Sequence, residues 1–282
     1  MDQKIKEGPM SALPRSLIKN ISDELHNYST GLIKITYDET GKETANLIGS
    51  GTFVQINNIC GILTAQHVTT ILTDISLLGL TLISKEHKHL IETDHLNIIE
   101  IAKATEPSEG PDLSFIALPT TYLGTIKATK SFYNLSKKKD RILNDPPKFD
   151  MGIWFICGVP DEQTTKEKSE KGFDFLKGFH GFCGAAGVDR NYTKGNYDYC
   201  EVDIHYKKSE NLPQSFGGVS GGGLWQIPLF QDEKGNFTAK EYILSGIAFY
   251  QSELKNQYRF IKCHGRQSLY KITYEFVESK YS

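Results

Sequence analysis

The chain lacks an excess of either charge. Its 32 Lys and Arg stand against 34 Asp and Glu, leaving a net charge of −2 over 282 residues. A basic field able to hold nucleic acid is therefore missing, and no basic–aromatic stripe offers a stacking platform for bases. Long apolar runs are absent too. The stretch from Val68 to Ser84 comes nearest, but Asp74 and several threonines interrupt it, which argues against stable insertion into a membrane. Met1 to Gly8 is charged and has no apolar centre, so no cleavable secretion leader is expected. Cysteine is scarce and odd in number: Cys60, Cys157, Cys183, Cys200 and Cys263 are widely spaced, with no C-x-x-C pair. That pattern argues against a zinc site or a disulfide framework and for free thiols in a reducing compartment. The expectation is no metal and no cofactor. The expected location is the cytoplasm, or outside the cell by a specialised export system that needs no cleavable leader.

What the chain does have is glycine (25 residues), tyrosine (14) and phenylalanine (15), a mixture that favours strands and tight turns over a helical bundle. Apolar content of 39% with 23% charge is that of an ordinary folded globular protein. Leu17, Ile18, Ile21 and Leu25 follow helical spacing after Pro14, which predicts a helix near the N-terminus. Strand-like runs follow at Leu32–Tyr37, Ala45–Ile56, Ile59–Thr64, Leu80–Ser84, Leu96–Ala102 and Leu113–Leu118. A lysine-rich polar stretch, Lys127–Lys148, then reads as a solvated linker. Beyond it lie Ile153–Val159, Tyr199–Tyr206, Gly222–Ile227, Tyr242–Tyr250 and Tyr258–Cys263, with a hairpin turn at Lys234-Gly235-Asn236. Leu269, Ile272 and Phe276 repeat at helical spacing near the end. The expected division is an N-terminal extension (1–27), a first strand-rich unit (28–126), a linker (127–150), a second strand-rich unit (151–265) and a terminal helix (266–282).

Three segments carry candidate chemistry. Gly217-Gly218-Val219-Ser220-Gly221-Gly222-Gly223 sets a serine among glycines, where the backbone turns tightly and its N–H groups stand free to bind an oxyanion. Gly61-Ile62-Leu63-Thr64-Ala65-Gln66-His67-Val68 ends an apolar strand on a histidine that is oriented yet reachable. Gly110-Pro111-Asp112-Leu113-Ser114-Phe115-Ile116-Ala117-Leu118 opens an apolar strand with an aspartate, which needs a partner if it enters the core. Asp112 follows His67 by 45 residues and Ser220 follows Asp112 by 108.

In this order and these settings the chain resembles the trypsin/chymotrypsin-like serine peptidases over roughly residues 31–278. Thr64-Ala65-Gln66-His67 is similar to the family's Thr-Ala-Ala-His motif, Asp112–Leu118 to its aspartate strand, and Gly218-Val219-Ser220-Gly221-Gly222 to its Gly-Asp-Ser-Gly-Gly motif. Ser245-Gly246-Ile247-Ala248-Phe249-Tyr250 is similar to its substrate-binding strand. The resemblance implies an all-β fold of two six-stranded antiparallel barrels with short terminal helices. It implies a His67–Asp112–Ser220 triad acting on a protein or peptide substrate, and an oxyanion hole from the backbone N–H groups of Gly218 and Ser220. It also implies a pocket involving Gln214, Phe249, Tyr250 and Gln251, with neutral Gln214 near its base. Val219 stands where zymogen-activated members carry the aspartate that pairs with a new amino terminus, so the resemblance is to the bacterial, non-zymogen, HtrA-like branch without a PDZ domain.

Two other functions stay open on the sequence. One is a binding or regulatory module whose glycine-rich loop stays unproductive until an activating partner orders it. The other is an acyl hydrolase with a Gly-x-Ser-x-Gly elbow, which the order His, Asp, Ser disfavours. Gly178–Gly184 reads as a mobile loop near the active site, and His87 and His89 as exposed turn residues without enough converging groups for a metal.

Overall fold

A computed structural model describes residues 13–83, 87–168, 175–206 and 212–281. The helix α1 (Arg15–His26) starts after Pro14 and buries Ile21 and Leu25. Seven strands follow: β1 (Ser29–Tyr37), β2 (Glu43–Ile56), β3 (Ile59–Thr64), β4 (Leu77–Ile83), β5 (His87–Glu92), β6 (Asn97–Ala102) and β7 (Leu113–Ala117), with the short helix α2 (Gln66–Thr70) directly after β3. Next come α3 (Thr120–Lys127), the two-residue β8 (Tyr133–Asn134) and α4 (Leu135–Asn144). The C-terminal half holds β9 (Ile153–Gly158), β10 (Thr164–Lys168), β11 (Phe175–Phe179), β12 (Phe182–Lys194), β13 (Tyr197–His205), β14 (Gly223–Ile227), β15 (Leu229–Gln231), β16 (Phe237–Ala239), β17 (Ile243–Gln251) and β18 (Tyr258–His264). A π-helical turn (Ser268–Thr273) leads into α5 (Tyr274–Tyr281). No helix among the described residues is long and apolar enough to cross a membrane.

The protein is mostly β, with antiparallel sheets. In the C-terminal half six strands close in the order β12-β13-β18-β17-β14-β9. The N-terminal half differs from the six-stranded ring expected. Its path runs open from β5 through β4, β1, β2, β3 and β7 to β6, and β8 adds an eighth strand parallel to β2. The extra edge strand β5 begins His87-Lys88-His89, a polar run that hides a strand from any apolar pattern. His89 is correspondingly half-buried on a strand, not exposed on a turn, and its Nε2 has no partner. Gly178 to Gly184 is likewise not one loop: its two ends belong to β11 and to β12, and Cys183 of β12 pairs with Cys157 of β9.

The segment 127–150, expected as a solvated linker, holds β8 and the helix α4. Asn134 caps α4 by accepting from the Lys137 N–H at 2.8 Å. Leu135 and Ile142 are buried on one face, Lys138 reaches Glu241 and Lys139 covers the Tyr274 ring. One apolar cluster runs through both halves. It joins Val54, Leu63 and Phe115 to Phe155, Trp225 and Ile247, and takes in α1, α4 and the C-terminal helix. In that last helix Phe276 is 40% exposed while Val277 is buried. The wide π turn adds a residue to the repeat and rotates the apolar face one position past the one helical spacing predicts.

Candidate active site

His67 and Asp112 are brought together by the pairing of β3 with β7. Thr64 lies opposite Ser114 at the end of that ladder, so the residues just beyond it on each strand face one another. His67 Nδ1 lies 2.6 Å from Asp112 Oδ2, and the His67 backbone N–H donates to Asp112 Oδ1 at 3.0 Å. The bidentate seat fixes the ring. Asp112 is 3% exposed while His67 reaches solvent, and a carboxylate that accepts at both oxygens is satisfied despite its burial. Upstream, Gln66 is anchored by donation to Glu100 Oε2 at 2.5 Å and to Thr70 Oγ1 at 3.0 Å.

Asp112 is also held from behind by a residue that carried no signal in the sequence. Its backbone N–H donates to His264 Nε2 at 2.9 Å. The same nitrogen lies 3.1 Å from the Asp112 carbonyl oxygen, while Nδ1 is buried without a partner. The His264 ring lies against Phe249, Tyr199 and Tyr197. Burial is the main cause that lowers its pKa to about 4.

Ser220 sits in a turn that two glycines make possible. Gly218 and Gly221 have φ of +85° and +92°, and a Cβ on Gly221 would lie 2.0 Å from the Ser50 carbonyl oxygen. Ser50, between Gly49 and Gly51 on β2, clasps this turn from the other half of the molecule. Its N–H donates to the Ser220 carbonyl at 2.7 Å, and its Oγ donates to the Gly218 carbonyl at 2.7 Å while accepting from the Val159 N–H at 2.8 Å. Val219 is 1% exposed among Trp154, Ile156, Phe216 and Leu224, so packing anchors the residue before the serine. The Gly217 carbonyl accepts from the Asp161 N–H at 2.8 Å. Because a trans peptide sets C=O and N–H in opposite directions, the Gly218 N–H points away from Asp161. Ser220 Oγ donates to the Phe249 carbonyl at 3.5 Å, not to the imidazole.

His67, Asp112 and Ser220 line one cavity of about 580 Å³ together with Phe216, Val219, Ala248, Phe249, Tyr250, Gln251 and Ile261. Phe249, Tyr250 and Gln251, the residues read as pocket walls, line this cavity. Gln214 is not at the base. It is exposed and absent from the lining, because the Glu162 carboxylate accepts from the Gln214 and Ser215 N–H groups at 2.6 and 2.9 Å and pins that turn outward. Sequence reasoning also missed Ser50, although a serine flanked by two glycines was a readable sign. Among the described residues the only grouping with metal-ligand geometry is Glu92, Asp94 and His95, all exposed. It shares no residue with the cavity.

No family model and no curated protein matches the chain. Among solved structures, the chain is similar to one from a study of the aromatic interactions that drive coupled folding and binding of the intrinsically disordered Sesbania mosaic virus VPg protein. That match has 12% identity over 86% of this chain and 88% of the other, with a TM-score of 0.42. It is also similar to the tobacco vein mottling virus protease, at 10% identity over 85% of this chain and 77% of the other, with a TM-score of 0.37. At these scores the likeness decides neither fold nor chemistry.

Proposed function

We propose that the protein is a serine peptidase of the trypsin/chymotrypsin-like kind. The observation that carries this reading is the doubly hydrogen-bonded His67–Asp112 pair on the same cavity as Ser220. In the proposed reaction Ser220 Oγ turns from the Phe249 carbonyl toward His67 Nε2 and attacks the peptide carbonyl. His67 takes the proton and returns it to the leaving amine. Asp112 keeps the proton of the neutral ring on Nδ1 and stabilises the imidazolium. The Gly218 and Ser220 N–H groups receive the developing oxyanion. Water then hydrolyses the acyl-enzyme. The apolar seat of Val219 supports a non-zymogen type, since no new amino terminus is needed to hold the turn.

A fluorophosphonate should label the wild-type protein and leave Ser220→Ala untouched, read by intact mass. Absence of labelling on a folded chain would count against peptidase activity. A second reading, a module active only with a partner, is favoured by the 3.5 Å contact that keeps Ser220 off His67. It predicts labelling only when a partner is added. The clasp of the turn by Ser50 speaks for the first reading.

A further inference from the structure

Two arginines are buried in the C-terminal half, and they differ in how they are satisfied. Arg266, 6% exposed, donates from Nε to Ser245 Oγ at 3.1 Å, from Nη1 to the Pro147 carbonyl at 2.8 Å and from Nη2 to Gln226 Oε1. Its face also covers the Phe149 ring. Arg259 is 7% exposed but has one polar partner, Gln251 Oε1, reached by Nη1. Its Nε is buried and unpartnered, and its guanidinium carbon lies 5.9 Å from the centre of the Tyr206 ring. A buried guanidinium with a donor left unfilled is costly, and an anion is the partner that would complete it.

The location of Arg259 says which anion. Alternate residues of a strand project to the same side, so Arg259 shares a side of β18 with Ile261, and Ile261 and Gln251 both line the triad cavity. Gln251 connects the cation to the serine turn. Its Oε1 accepts from the Phe216 N–H at 2.8 Å, its Nε2 donates to Ser215 Oγ at 3.2 Å, and that Oγ accepts from the Gly217 N–H at 3.0 Å. The cavity itself contains Lys103 and no acid except Asp112, which is committed to His67. Glu162 is exposed and occupied by two backbone amides.

We propose that the pocket receives an acidic side chain of the substrate, its carboxylate passing between Phe216 and Ile261 to meet the Arg259–Gln251 pair. This rests on the peptidase reading, whose substrate it specifies as a peptide cut after glutamate or aspartate. A guanidinium fork suits a carboxylate better than it suits the amide of glutamine, which offers one acceptor and no charge.

Two peptidyl phosphonates, identical except for glutamate or glutamine in the pocket position, test this at pH 7. The glutamate probe should label Ser220 faster by about 30-fold or more, the scale of an unpaired buried charge. In Arg259→Met the ratio should fall to about one while a fluorophosphonate still reacts; in Arg259→Lys a preference for glutamate should survive. A ratio near one in the wild type, or a ratio unchanged in Arg259→Met with all probes slowed alike, overturns the inference and reduces Arg259 to a clamp on the turn. If Arg259→Met does not fold by circular dichroism, Arg259→Lys and Gln251→Ala carry the comparison. If the fluorophosphonate fails on folded wild type, the peptidase reading falls by itself. Binding of the matching fluorescent peptides to Ser220→Ala then decides: tighter binding of the glutamate peptide sustains the acidic pocket, and equal binding removes it.

Discussion

At the scale of single residues, the site depends on polar groups that face apolar surroundings. His264 is the sharpest case, fully buried with one nitrogen bonded and one orphaned. Its folded pKa of about 4 lies below the ordinary 6.5, so the folded state resists the proton that the unfolded chain accepts. Stability from this group is therefore complete above about pH 6.5 and is lost as pH falls from there through about 4. The loss is about 3 kcal/mol. Urea unfolding of the wild type and His264→Gln at pH 7.5, 5.5 and 4.5 should give curves whose difference shrinks with acid. A constant difference would show that the ring does not stay neutral. Nothing in the sequence announced this residue, because a lone histidine at the end of a strand looks the same whether it faces solvent or the core. His67 and Asp112, by contrast, were legible because each follows or precedes an apolar strand whose pairing is dictated by its own pattern.

At the scale of elements, the serine turn is stiffened by contacts to the opposite half more than by its own sequence. Removing the Ser50 hydroxyl deletes its bond to the Gly218 carbonyl and leaves the Val159 N–H without an acceptor. A lost bond of this kind costs about 1–3 kcal/mol. Ser50→Ala should slow fluorophosphonate labelling of Ser220 by about 10-fold or more at saturating reagent, beyond any effect explained by lowered Tm. Equal rates at temperatures well below Tm would mean that the glycines alone hold the turn. Most strands of the structure match alternating or continuous apolar runs in the sequence, β3 to the residue. Seven do not, β5, β8, β10, β11, β12, β15 and β16; of these β5 and β10 are rich in His, Lys and Thr, and their ladders supply pairing that a side-chain pattern cannot display. The helix α4 was hidden for a related reason. Three consecutive lysines dominate its composition, while only Leu135 and Ile142 are buried.

At the scale of the whole molecule, the division into two halves joined by a linker understates their union. The proposed triad draws His67 and Asp112 from one half and Ser220 from the other, and the apolar cluster beneath is continuous across the join. Glu241, at the entrance to β17, is held by Lys138 and Arg141 of α4, so the connecting helix is fastened to the half that follows it. Arg266 does the same for the 147–151 stretch, whose Lys148 and Met151 carbonyls also accept from Gln226 Nε2 at 2.6 and 2.7 Å. A site divided across a seam needs such fastening, since a small shift between halves would part the histidine from the serine.

The free cysteines turn that continuity into a clock. Cys60 lies on β3 and Cys157 on β9, one in each half, both buried, whereas Cys183 is half-buried. A thiol reagent should take Cys183 first. Cys60 and Cys157 should then follow with the same dependence on denaturant, because both are buried and a core shared by the two halves is expected to open as one unit. Mass spectra taken over time would record this as doubly modified chains appearing without singly modified precursors at those two positions. Early capture of Cys157 with Cys60 still protected would mean that the halves open separately. The scarcity of cysteine thus leaves few buried reporters, Cys60 on one side of the seam and Cys157, Cys200 and Cys263 on the other, to time how often the proposed active cleft comes apart.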